Sequence, residues 1–195
     1  MSVGFLADRS RRTALVSLFA VIIFISKSVF PPPSDDAFVF FQTMLLILSA
    51  FLMGPPGATY TSTLSGVLKA LVTGSFAPLT VALAVLYGLL IDGFVLLFRA
   101  RPKGRDVSYA RVVSAAAFST SIEGTVGYVS SVMILQLPIP NDFVIDMSIL
   151  AGGIISGLIG GWLAAFVWKR YLFPKPAEAS VEPEKKAVPV APGTP

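Results

Sequence analysis

The chain has 195 residues, enough for one compact domain, and 54% of them are hydrophobic against 13% charged, where a soluble domain is about one quarter charged. With a mean hydropathy of +0.78, that balance excludes an ordinary soluble fold. The absence of cysteine and histidine excludes disulfides, thiol catalysis, thiolate metal sites and imidazole proton shuttles.

Taken in chain order, the first apolar run covers 13–30, behind Arg9, Arg11 and Arg12. A basic stretch ahead of an apolar one is also the layout of a secretory signal. Here the run has the length of a membrane span, about 18 residues, and no small-residue cleavage site follows it. Pro31, Pro32 and Pro33 read as an outer loop. Further apolar runs at 37–53, 58–76, 78–98, 112–137 and 147–172 are each near the ~20 residues that a crossing helix needs. The third is diluted by Thr61, Ser62, Thr63, Ser65 and Lys69. Pro55, Pro56, Pro78, Pro102, Pro138, Pro140 and Pro174 fall at run ends or between runs, where a missing N–H does not break a hydrogen bond that lipid cannot replace. From Phe173 the chain turns to Pro, Ala, Glu, Lys and Val without helical periodicity, the composition of a disordered tail. The predicted fold class is therefore an all-α integral membrane protein. It has a six-helix transmembrane bundle over 1–172 and a disordered cytoplasmic tail over 173–195.

Charge placement predicts the orientation. If the N-terminus is inside, six crossings put Arg9, Arg11, Arg12, the cluster from Arg99 to Arg111, and Lys169, Arg170, Lys175, Lys185 and Lys186 on the cytoplasmic side. Only Lys27 and Lys69 of the 15 basic residues remain elsewhere, and the outer connections carry Asp35, Asp36, Asp142 and Asp146. This is the positive-inside asymmetry of a multi-pass cell-membrane protein with both ends cytoplasmic. It accounts for the net charge of +4 without nucleic acid as a partner.

Four charged residues fall within or at the ends of the spans, namely Lys27, Lys69, Asp92 and Glu123. A charge in hydrocarbon costs at least about 2.5–3.5 kcal/mol on insertion scales, so each calls for a partner, water or a ligand. Glu123, near the middle of the fifth span, shares a face with Ser119, Gly127 and Ser131 at four-residue spacing. It is the leading solute-binding candidate, and a structural ion pair with Lys69 inside the bundle is the competing reading. Lys69 lies in a similar stripe with Ser62, Ser65, Gly66 and Thr73, against which stands snorkelling to the outer surface. For Lys27 snorkelling is the favoured account, and for Asp92 a local ion pair with the basic loop near Arg99. Gln42, Tyr87 and Tyr128 combine an apolar body with a polar tip, and Asn141 is a candidate to close a site from outside, against the favoured reading of a solvated loop. On the sixth span Gly153, Gly157, Gly161 and Ala165 recur every fourth residue, a pattern for close helix contact with an unspecified partner, an intramolecular one being favoured. No phosphate-binding loop, H-E-x-x-H motif or catalytic triad is present, so neither ATP hydrolysis by this chain nor an enzyme activity is expected. No cofactor is called for.

The stretch Leu52-Met53-Gly54-Pro55-Pro56-Gly57-Ala58, followed by Gly66-Val67-Leu68 and Gly74-Ser75-Phe76, resembles the G-P-x-x-G … G-x-L … G pattern in the S components of energy-coupling factor (ECF) transporters. These are the substrate-binding membrane subunits of vitamin importers. Tyr87-Gly88-Leu89-Leu90-Ile91-Asp92-Gly93 resembles a similarly placed segment of the thiamine-precursor type. Where S components often carry Ala-x-x-x-Ala in the first helix, this chain has Thr13-x-x-x-Ser17. The resemblance implies a subunit that captures a small vitamin-like solute, thiamine or its hydroxymethylpyrimidine precursor. It implies partnership with a membrane-coupling protein and two ATPases. Applied to this chain, it implies solute contacts from Lys69, Glu123, Tyr128, Gln42 and Asn141. Two other readings stay open, a membrane scaffold without a solute site and a stand-alone secondary transporter that uses Glu123 for ion coupling.

Overall fold

The structure is a computed structural model that describes residues 9–29, 38–73, 77–102, 104, 106–135 and 143–172. Among the described residues there is no strand. Six helices follow one another as α1 (Arg9–Val29), α2 (Val39–Met53), α3 (Gly57–Thr73), α4 (Ala77–Leu97), α5 (Tyr109–Leu135) and α6 (Phe143–Val167), the last continued by one π turn at Trp168–Leu172. The expected tail over 173–195 lies outside the described residues. Punctuation in the sequence explains the helix ends. Gly54 closes α2 with φ 75°, a left-handed conformation that strains any side chain, and Pro55 and Pro56 keep the helix from continuing. Pro78 occupies the first turn of α4, where its missing N–H has no intrahelical acceptor to lose.

Among the described residues three segments are long and apolar enough to cross a membrane, Ser10–Val29, Ala77–Leu97 and Leu150–Leu172. The other three helices fall short of the same standard for different reasons. α2 is apolar but has 15 residues, about 22 Å at 1.5 Å per residue against a hydrocarbon core of about 30 Å. α3 is both short and rich in hydroxyls, and α5 is long but interrupted by Ser, Thr and Glu123. Leu18, Ile25, Leu71, Leu97 and Ile155 stand on the outside, Leu71 with 77% of its surface exposed. Such an apolar exterior is consistent with a membrane protein and costly in water.

α2 is the axis of the bundle and contacts each of the other five helices. Gln42, Thr43 and Leu45 through Leu52 are all buried, as expected for a helix that is hydrophobic all round. The neighbours close on it through small residues. A side chain at Gly157 of α6 would run into the backbone of Ala117 on α5, and one at Gly161 into Val113 and Ala116. The four-residue stripe on α6 therefore serves an intramolecular seam with α5, where packing substitutes for a hydrophobic driving force that lipid does not supply. Thr120 ties the same seam, its hydroxyl 2.6 Å from the Gly153 carbonyl.

One end of the bundle gathers the start of α1, the ends of α2, α4 and α6, and the start of α3. Arg12 reaches the Leu52 carbonyl at 3.4 Å. The Trp168 indole donates to the Gly104 carbonyl at 3.2 Å and packs edge-on against Phe51. Arg99, Arg101 and Arg111 belong to this end by sequence.

Candidate functional site

The opposite half of the bundle holds a cavity of about 190 Å³. It lies toward the α1–α2 and α3–α4 connections, because its lining uses the last turns of α1 and α3 and the first turns of α2 and α4. α1 contributes Ile23, Phe24 and Lys27, at the i, i+1, i+4 spacing of one helix face. α3 contributes Ser65, Gly66 and Lys69 on the same principle. Gln42 enters from α2, Thr80 and Tyr87 with Leu83 and Ala84 from α4, and Glu123 from α5.

Three of these five helices thus bring Lys69, Glu123 and Gln42 to one hollow. Tyr128 is described and is not part of this lining. Asn141 lies outside the described residues. Two residues that sequence reasoning did not single out as ligands also line the cavity. Lys27, near the end of α1 and favoured for snorkelling on sequence grounds, is half-buried and belongs to the lining. Its spacing from Ile23 and Phe24 was the available signal. Tyr87 is 2% exposed and occupies the cavity wall.

Tyr87 is held by a chain of hydroxyls whose direction follows from counting hydrogens. Its phenol oxygen lies 2.5 Å from the Thr43 hydroxyl, which lies 2.7 Å from the Val39 carbonyl of its own helix. A carbonyl only accepts, so the single Thr43 hydrogen goes to Val39 and the Tyr87 hydroxyl donates to Thr43. The phenol oxygen keeps acceptor capacity. Gln42 is 7% exposed, and among the described residues no hydrogen bond to its carboxamide occurs. A buried amide without a protein partner costs about 1–3 kcal/mol, so this side chain is suited to water or a solute in the hollow that it lines.

Asp92 has a different task from the one expected of it. Its carboxylate accepts from the Thr59 N–H at 2.8 Å, the Thr59 hydroxyl at 2.7 Å and the Ala58 N–H at 3.3 Å. A buried anion at the first turn of α3 satisfies N–H groups that have no intrahelical acceptor and meets the positive end of the helix dipole. The pairing with the basic loop near Arg99 is replaced by this cap, because α4 carries the carboxylate inward against α3. Gly88, one turn earlier, allows that approach, since a Cβ there would meet the Thr59 and Ala58 backbone. The Tyr87–Gly93 segment is therefore used for helix packing and capping as well as for the cavity wall.

The remaining polar residues of the two stripes divide similarly. The Ser62 hydroxyl donates to the Ala84 carbonyl across the α3–α4 seam at 2.6 Å, and Ser119 donates to Ala115 within α5. Gly127 faces open space, where a Cβ would meet nothing. The side chains of Thr73 and Ser131 lie outside the described residues. Among the described residues no cluster of acidic side chains suited to a metal ion occurs. Comparison with family models, with curated proteins and with solved structures returns no match.

Proposed function

We propose that the chain is the solute-binding membrane subunit of an ATP-driven importer of the energy-coupling factor type, selective for a small vitamin-like solute. The observation that carries this reading is the convergence of Lys27, Gln42, Lys69, Tyr87 and Glu123 from five helices on one cavity. Charged and amide side chains in a bundle with an apolar exterior are expensive. A hollow that collects them has the composition of a binding site, mostly apolar walls with a few convergent polar groups. A volume of about 190 Å³ lies below the ~300–1,000 Å³ of drug-sized pockets, in keeping with a small solute.

In this reading the six helices all cross the membrane, both chain ends are cytoplasmic and the cavity opens to the outer half. The basic end, with Arg99, Arg101 and Arg111, faces inward, where a coupling protein and two ATPases supply the energy that this chain has no phosphate loop to supply. The test is mass spectrometry of small molecules retained by protein purified in mild detergent, with pull-down of the coupling proteins from the same membranes. A stoichiometric solute and associated ATPases support the proposal. A protein that retains and binds no solute, or one that transports alone on an ion gradient, overturns it in favour of a scaffold or a secondary transporter.

A further inference from the structure

We infer that Gln42 sets the specificity of the cavity by reading an uncharged edge of the solute on which an N–H stands beside an acceptor, as in a lactam, a primary amide or a urea. This deepens the proposal above and rests on it. Gln42 lines the hollow from α2 and is 7% exposed, and its carboxamide has no hydrogen bond among the described residues. That group carries an acceptor oxygen and an N–H₂ donor in one plane. A lone ketone or ether oxygen on the solute answers one of these two functions. An N–H beside a carbonyl answers both at once, through two parallel N–H···O bonds.

Two hydroxyls of the lining favour the same partner. Tyr87 donates its hydrogen to Thr43, which donates to Val39. Ser65, 6% exposed in the cavity wall, donates to the Ser62 carbonyl at 2.9 Å. Each oxygen has spent its one hydrogen and keeps lone pairs alone to offer. A second N–H on the solute, as in a primary amide or a urea, is matched by such acceptors, and an ester or ketone oxygen is not. A ligand that leaves a buried polar group unpaired is rejected more strongly than one that leaves a gap in apolar packing. Recognition by these three uncharged residues is independent of how Lys27, Lys69 and Glu123 pair.

δ-Valerolactam and cyclohexanone separate the two cases, since they share a six-membered ring and a carbonyl, carry no charge, and differ as N–H against CH₂. Binding is measured by calorimetry on the full chain in detergent, after any retained solute has been removed. The lactam is expected to bind at least tenfold more tightly than the ketone. Gln42→Met, close in size and without either hydrogen-bonding function, should shrink that preference to less than threefold. Its thermal unfolding midpoint should equal or exceed that of the parent chain, because no protein group loses a partner. A preference below tenfold in the parent chain, one above threefold in Gln42→Met, or loss of the preference together with a lowered midpoint overturns the inference. A retained solute without such an edge, or one whose affinity Gln42→Met leaves unchanged, also overturns it but leaves the importer reading standing. A retained solute that has the edge and binds Gln42→Met at least tenfold more weakly supports it, even where both rings bind too weakly to measure. A protein that neither retains a solute nor binds either ring loses both readings.

Discussion

The Asp92 carboxylate on α4 clasps Thr59 on α3 twice, taking the backbone N–H at 2.8 Å and the side-chain hydroxyl at 2.7 Å. The pair fixes the two helices at the basic end, beneath the cavity, and it does so with a buried charge. Hydrogen bonds to a charged group contribute about 1.5–3 kcal/mol. Asp92→Ala is expected to lower unfolding stability by about 3 kcal/mol, and Asp92→Asn, which keeps one acceptor, by about half as much. Arg99→Ala should change stability by less than about 0.5 kcal/mol, as for an exposed substitution. Denaturation in mixed micelles followed by circular dichroism checks all three. A larger loss for Arg99→Ala than for Asp92→Asn would restore the ion-pair account.

Glu123→Gln should keep the fold and weaken binding of the retained solute at least tenfold, about 1.4 kcal/mol. The substitution preserves size and one acceptor, so what it removes is the charge facing the cavity. Unfolding midpoints and solute titration on the same preparation read the two effects separately. A large drop in stability with unchanged affinity would make Glu123 a structural group.

Tyr87→Phe removes the hydrogen donated to Thr43 and the acceptor offered to the cavity, while Thr43 keeps its own bond to Val39. The stability cost should be near 1 kcal/mol, the ordinary net worth of one hydrogen bond. The affinity cost should exceed it for a solute that donates to the phenol oxygen. An unchanged affinity for the retained solute would take Tyr87 out of the recognition surface.

The glycines of α5 and α6 should respond in opposite senses to one methyl group. Gly157→Ala forces a Cβ into the Ala117 backbone and should cost about 1–3 kcal/mol, the range for overpacking. Gly127→Ala meets open space and should stabilise by about 0.5–1 kcal/mol through reduced backbone entropy of the unfolded chain. Thermal unfolding of the two variants side by side is sufficient, and loss of stability at Gly127 would mean that its surroundings are filled.

Orientation can be read without background labelling, since the chain has no cysteine. A membrane-impermeant thiol reagent applied to intact cells should label Ser34→Cys, in the α1–α2 connection, and spare Gly104→Cys, in the α4–α5 connection. Inverted vesicles should give the reverse. Labelling of both from one side would reject an even six-span arrangement.

Helix number and helix ends were legible from residue order because they depend on local chemistry. Gly54, Pro55, Pro56 and Pro78 interrupt the backbone wherever the chain folds, and the expected runs at 37–53 and 78–98 lie close to Val39–Met53 and Ala77–Leu97. The polar stripes on α3 and α5 were equally visible, since helical periodicity sets which residues share a face. Periodicity does not say what a face meets. Whether Lys27 reaches the surface or the cavity depends on how α1 is rotated against α3 and α2. Whether Asp92 finds Arg99 or Thr59 depends on the height at which α4 crosses α3, and Gly88 sets that height through the closeness it allows. The α6 glycine stripe announced a tight contact, and the choice of α5 as its partner needed the complementary surface of Val113, Ala116 and Ala117. Local sequence therefore established the helices and their charges, and packing in three dimensions assigned each charge its neighbour, because electrostatic contact is made across helices far apart along the chain.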